Sequence, residues 1–222
     1  MSIVTFKRGD TTALTKNFTR DEFQCQCKKC EAQMIDTELA EKLQRIRDVL
    51  GVPLKITSGY RCIVHNASKA VGGSPNSKHR YGMAADWRMV NRSINPVALG
   101  IIAAQYFKAV GIYWYDGCAI VHTDTRDAKA TWLCDAPRHY PSTTYQKFIL
   151  PTIRRGCTGD ANRAATKMLQ RLLGLTPDGI FGEGTENALL KAQEAHGLTV
   201  DGICGPASWR ALSGADKYLA KL

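Results

Sequence analysis

Ser77-Lys78-His79-Arg80-Tyr81-Gly82-Met83-Ala84-Ala85-Asp86 sets an imidazole and a carboxylate on either side of a glycine, and Ile120-Val121-His122-Thr123-Asp124 adds a second imidazole further along the chain. Two histidines and one aspartate form the donor set of a catalytic zinc. Such a zinc takes three nitrogen or oxygen ligands from protein and keeps a fourth position for water, whereas structural zinc is closed by four ligands, often sulfurs. His79, Asp86 and His122 are therefore the candidate metal ligands. The glycine-containing stretch lets a turn bring His79 and Asp86 to one ion. His122 reads as a strand residue that shares its face with Asp124, so Asp124 can hold the ring in one tautomer.

Working outward, the first helix starts at Asp36, a candidate N-cap, and runs through Leu39, Leu43, Ile46 and Leu50 at helical spacing until Gly51 stops it. Residues 52–61 are short, β-branched and alternating, which predicts a strand that delivers Arg61 at its end. From Ile63 to Asn76 small and polar residues with Gly72, Gly73 and Pro75 predict an irregular loop. A second helix is expected after Asn95, with Pro96 in its first turn, Val97, Ile101, Ala104 and Phe107 on one face, and Gly111 beyond its end. Two strands follow, Ile112–Tyr115 and Ala119–Thr125, joined by an Asp116-Gly117 turn. Helices and strands mix without regular alternation, so the class is α+β with a small antiparallel sheet.

A chain of 222 residues with 44% apolar content can bury one large core or two modest ones. No run reaches the roughly twenty apolar residues of a membrane span, and the first residues lack an apolar signal core, so export by the ordinary signal-peptide route is not expected. The chain is expected to be a monomer. The net charge of +10 lies entirely before residue 156, with 23 Lys/Arg against 13 Asp/Glu there and 7 against 7 after it. Such a surface suits nucleic acid, acidic membrane or an anionic cell wall equally. Of eight cysteines, Cys25, Cys27 and Cys30 are closely spaced, and Cys62 could join them. That run suits a metal knuckle or short-range disulfides, with buried thiols or disulfides preferred over metal.

Residues 151–157 read as a linker. Beyond it Asp178-Gly179-Ile180-Phe181-Gly182 returns as Asp201-Gly202-Ile203-Cys204-Gly205, an offset of 23 residues. Each copy puts Asp-Gly in a tight turn and then Thr185 or Ser208 as a helix cap. With a helix over Asn162–Leu173, the segment 158–222 is expected to be a small all-α three-helix domain after a catalytic domain at 1–150. Phe181 and Trp209 read as core residues sooner than as sugar-stacking ones.

Ser58-Gly59-Tyr60-Arg61, Asn66, Gly72-Gly73, Ser77-Lys78-His79, Gly82-Met83-Ala84-Ala85-Asp86 and Val121-His122-Thr123-Asp124 resemble, in order and spacing, the zinc D-alanyl-D-alanine peptidases of the hedgehog-like superfamily over about residues 15–130. The resemblance implies that His79, Asp86 and His122 bind zinc and that Arg61 faces the substrate, where it could dock a peptide carboxylate, with Ser77 beside it. Residues 158–214 resemble the peptidoglycan-binding domain found beside many wall hydrolases. Relatives carry a proton-transfer group two or three positions before the last zinc histidine, where this chain has Ala119 and Ile120. Asp116 and Asp124 are the carboxylates left for that role. His65, His139 and His196 have no metal-like partner in sequence. The expected protein is a zinc-dependent peptidoglycan peptidase of the phage endolysin type. A host autolysin or D-alanyl-D-alanine carboxypeptidase, a non-catalytic wall-binding zinc protein, and a nucleic-acid binder are the alternatives.

Overall fold

The computed structural model describes residues 2–143 and 149–222. In chain order the elements are β1 (Ile3–Lys7), β2 (Ala32–Asp36), α1 (Thr37–Leu50), β3 (Leu54–Ser58), α2 (Ile63–Ala67), β4 (Ala84–Met89), α3 (Pro96–Ala103), β5 (Ala109–Tyr115), β6 (Cys118–Asp124), β7 (Ala130–Cys134), β8 (Ser142–Thr143), α4 (Asp160–Leu172), α5 (Glu183–Ala195), α6 (Pro206–Ser213) and α7 (Asp216–Leu219). The class is α+β with antiparallel pairing, as expected. Among the described residues no helix is long and apolar enough to cross a membrane.

The chain divides into two compact units. The first holds Met1–Arg92, Tyr106–Ala109 and Val121–Lys129. Here β3, β4 and β6 lie side by side, antiparallel, and β1 pairs with β2 in a separate ribbon. Helix α1 buries Leu39, Leu43, Ile46 and Leu50, the stripe its spacing predicted, and Gly51 closes it in the left-handed conformation at φ 70°. Asp36 caps it by accepting from Glu38 N at 3.2 Å. Its other oxygen accepts from Thr125 Oγ1 at 2.6 Å, which ties the helix start to the chain just past β6. Phe18 and Phe23, both fully buried, meet edge to face with centroids 5.8 Å apart.

Two expectations change in this unit. The segment predicted as an irregular loop contains α2, because Cys62 Sγ accepts from His65 N and caps a short helix, a role sequence rules give to oxygen side chains. Phe107, placed by periodicity on the second helix, lies after it and is buried with Lys42 Nζ 5.3 Å from its ring centre.

The second unit holds Ser93–Gln105, Val110–Ile120 and Ala130–Leu222. Asn95 caps α3 through Ala98 N at 3.0 Å, and every residue of α3 is buried. The helix stops at Ala103, and Gly111 lies inside β5 instead of marking the helix end. A Cβ at Gly111 would stand 2.5 Å from Trp132 Nε1, so the glycine serves close packing on an indole. The Asp116-Gly117 turn forms where expected, with Gly117 at φ 79°.

The 23-residue repeat has a buried cause that the turn residues alone do not reveal. Gln170 Nε2 donates to Asp178 Oδ1 (2.7 Å), Ile180 O (3.2 Å) and Thr185 Oγ1 (3.1 Å), while its Oε1 accepts from Gly179 N (2.9 Å). Gln193 repeats the pattern with Asp201 (2.9 Å), Ile203 O (3.0 Å), Ser208 Oγ (3.2 Å) and Gly202 N (3.0 Å). Thr185 and Ser208 are therefore not helix caps. The caps are Gly182 and Gly205, and the two hydroxyls sit inside the first turns of α5 and α6, bonded to these glutamines. Phe181 and Trp209 are both buried, Trp209 donating to Pro151 O at 2.9 Å, so neither offers a face to a sugar. Ile153, in the stretch read as a linker, is fully buried and pairs with Cys204.

Candidate metal centre

β4 and β6 pair so that Asp86 stands directly opposite His122, and Ser58 of β3 stands opposite Asp86. Residues opposed in an antiparallel pair point to the same face with Cβ atoms about 5 Å apart, so the sheet alone brings the carboxylate to the ring. His79 arrives from a 3-10 turn over Lys78–Tyr81, which Ser77 precedes and Gly82 ends at φ 67°. The three side chains are buried, at 2%, 8% and 6% exposure for His79, Asp86 and His122.

Their donor atoms form a small triangle. Asp86 Oδ1 lies 2.8 Å from His122 Nδ1 and 3.3 Å from His79 Nε2, and the two nitrogens are 3.2 Å apart. Ligands about 2.0–2.2 Å from a tetrahedral zinc stand roughly 3.3–3.6 Å from one another, so the triangle has close to the size of one tetrahedral face. The far side of each ring is committed. His79 Nδ1 is 2.7 Å from Gly59 O, and His122 Nε2 is 3.1 Å from Asp124 Oδ2. A carbonyl and an ionised carboxylate only accept, so both rings carry their protons outward and aim lone pairs at each other and at Asp86. Three converging lone pairs at this distance repel unless a proton or a cation lies among them. The donor set therefore fits a metal ion.

The charges agree. Burial opposes ionisation of Asp86, but the two imidazoles and the Arg61 guanidinium hold its carboxyl well below the usual range. Burial also dominates at His79 and lowers its pKa. At His122 burial pulls the same way but is outweighed by the Asp124 and Asp86 carboxylates, which raise it, and surroundings that retain a proton there also favour a metal cation. Asp124, fully enclosed, is held at about 2: burial resists its ionisation, and the bonds from His122 and Arg126 overcome that. Arg126 grips it with Nε at 2.7 Å and Nη2 at 2.6 Å.

Arg61 reaches the same group. Its Nη2 pairs with Asp86 Oδ2 and its Nε donates to Ser58 Oγ at 2.8 Å. The strand before it was legible in sequence, but β3 ends at Ser58 and Arg61 lies three residues beyond, in the segment leading to α2. The grip of Arg61 on the metal ligand's second oxygen was not legible, because that depends on the β3–β4 register. Asn66 shapes the approach to Ser77, donating to Gly73 O at 3.2 Å and Ser74 O at 2.9 Å. Ser77, half-buried, starts the turn that carries His79. Asp116 is not in this cluster. It lies in the second unit, its side chain 96% exposed and paired with Arg171 Nη2 at 3.0 Å. His139 pairs with Asp135, and His196 ends α5, so neither joins a metal group.

The three side chains make a candidate metal centre on an antiparallel sheet. Residues 16–124 match the family model described as Peptidase M15, and residues 158–212 match that of a peptidoglycan binding domain. No curated protein gives a significant match to the chain. The two matches support a metallopeptidase carrying a peptidoglycan-binding domain, with peptidoglycan as its partner.

Asp124→Ala should weaken metal binding about 10–100-fold, the usual cost of losing a carboxylate that orients a ligating histidine. Competition titration with a chromophoric chelator measures it. An unchanged affinity would show that Asp124 does not orient His122.

Proposed function

We propose that this chain is a zinc-dependent peptidoglycan peptidase of the phage endolysin type. It would be made in the host cytoplasm, hydrolyse stem-peptide or cross-link amides, and be held on the wall by a small helical module within residues 158–222, where the expected three helices are joined by the short α7. The observation that carries the reading is the His79–Asp86–His122 triangle, sized and oriented for one ion, in a chain that also matches a wall-binding domain. Zinc held there supplies a lowered water pKa and positive charge beside a developing oxyanion.

The chain's own residues do the rest. Gly59 O and Asp124 keep the two rings in the tautomers that face inward. Arg61, braced by its Nε–H bond to Ser58 Oγ, holds the second oxygen of Asp86, leaving the first for the ion, and the rest of the Arg61 guanidinium is the proposed dock for a peptide carboxylate, with Ser77 alongside. Proton transfer falls to Asp124 or Asp116 in this reading. Asp124 is next to His122 but bound on both oxygens, and Asp116 is exposed and ion-paired. Wall binding beside the catalytic centre raises local substrate concentration without new contacts at the metal.

The test is release of free amines from purified peptidoglycan, with muropeptide masses identifying the bond. Release should stop on chelation and return with zinc. Binding without turnover would support the non-catalytic wall-binding alternative instead. An Asp116→Asn variant with the parent's pH–rate profile would remove Asp116 from proton transfer.

A further inference from the structure

Cys25, Cys27, Cys30 and Cys62 come together in the first unit, their four Sγ atoms all within 4.8 Å of one another. None is in a disulfide. Cys27 Sγ is 3.3 Å from Cys30 Sγ and 3.8 Å from Cys62 Sγ. Sulfurs about 2.3 Å from a tetrahedral zinc stand roughly 3.8 Å apart, while a disulfide needs about 2.05 Å. The cluster has the size of a closed tetrathiolate site.

Hydrogen-bond donors surround the sulfurs. Every sulfur faces N–H donors: Cys27 those of Lys29 and Cys30 at 3.4 Å each, Cys62 that of His65 at 3.4 Å, and Cys25 that of Cys62 at 3.4 Å. Cys30 Sγ takes Gln33 Nε2 at 3.4 Å and Arg8 Nη2 at 3.5 Å. Gln33 is buried and built into the knuckle, accepting from Cys25 N at 2.7 Å and donating to Cys30 O at 2.6 Å. Arg8 spans the group from the end of β1, with Nε on Cys30 O (3.0 Å) and Nη2 on Cys25 O (2.9 Å), and its Nη2 also lies 4.0 Å from Cys27 Sγ. Neutral thiols in a plain core need neither a guanidinium nor a ring of amides aimed at sulfur. Four sulfurs around a divalent ion carry a net double negative charge, which these donors offset.

We propose that Cys25, Cys27, Cys30 and Cys62 bind a structural zinc ion as four thiolates, distinct from the His79–Asp86–His122 centre and independent of the peptidase reading. Binding converts four S–H groups to thiolates with release of their protons. The ion staples residues 25–30 to Cys62. Cys62 directly follows Arg61, whose backbone N donates to His79 O at 3.0 Å and whose guanidinium holds Asp86. The cluster thus fixes the segment on which the first centre rests.

Elemental analysis of the full-length protein purified without added metal should find about two zinc ions per chain, falling to about one in both Cys62→Ser and His122→Ala. Cobalt substitution separates the sites. Parent and His122→Ala should show intense near-ultraviolet thiolate-to-cobalt absorption, and Cys62→Ser should lose it. Should Cys62→Ser fail to fold, the parent still decides: its four thiols should resist alkylation until a chelator strips the ion. Prompt alkylation of all four, disulfides in the purified chain, iron in place of zinc, or absence of the near-ultraviolet band would each overturn the proposal.

Discussion

His122→Ala should abolish metal binding at the His79–Asp86–His122 centre and lower peptidoglycan hydrolysis by about 10³-fold or more. The ring contributes Nδ1 to the triangle, and without it two donors 3.3 Å apart remain, too few to hold a catalytic ion. A bound metal commonly supplies several kcal/mol to such a reaction, and about 4 kcal/mol corresponds to about 10³ in rate. The fold should survive, because the backbone pairing of β4 with β6 does not use the ring, Asp124 keeps Arg126, and Asp86 keeps Arg61. Metal content, amine release and thermal unfolding measured on one preparation decide it. Unchanged turnover by a folded variant would refute the assignment of His122.

Gly82→Ala should destabilise the first unit by roughly 2–5 kcal/mol and weaken metal binding with it. Gly82 lies between two metal ligands at φ 67°, where an L side chain costs about 1–2 kcal/mol. The added Cβ would also meet Met34 O at 2.6 Å and Met34 C at 2.7 Å. These are backbone atoms of β2 and cannot rotate aside, so overpacking adds about 1–3 kcal/mol. Relief requires moving the turn away from β2, which breaks the Asp36 N to Gly82 O bond of 2.9 Å and displaces His79 from Asp86. Urea unfolding with a metal titration on the same variant tests both effects. Wild-type stability would mean that the turn relaxes without cost.

The two predictions differ in how far sequence alone could reach them. His122 was chosen from residue type and spacing, and the β4–β6 register then placed it opposite Asp86. Gly82 reads in sequence only as a turn residue, and its contact with β2, a strand absent from the sequence reading, makes it hard to replace. Ile3-Val4-Thr5-Phe6-Lys7 did carry β-branched residues, but a two-stranded ribbon between segments about thirty residues apart leaves no local signature. Gln170 and Gln193 sit at the repeat offset of 23 residues and could have been found by extending the alignment of the two copies upstream. The caps assigned to Thr185 and Ser208 failed because a hydroxyl near a helix start satisfies the local rule in more than one position, and a buried glutamine decided which.

The sequence by itself determined what depends on neighbours along the chain: the α1 stripe with its Asp36 and Gly51 ends, the Asn95 cap, the Asp116-Gly117 turn, and a donor inventory of two imidazoles and a carboxylate. Only the tertiary structure decided what depends on atoms distant in the chain. Strand register put Ser58, Asp86 and His122 in one row. Gly59 O and Asp124 turned two ring lone pairs toward Asp86, and Cys62 closed the sulfur group that Cys25, Cys27 and Cys30 begin. Residue types set which chemistry is available within a few bonds, but metal ligation needs donor atoms placed to within about an ångström, and side chains from separate segments reach that precision only after the core has packed.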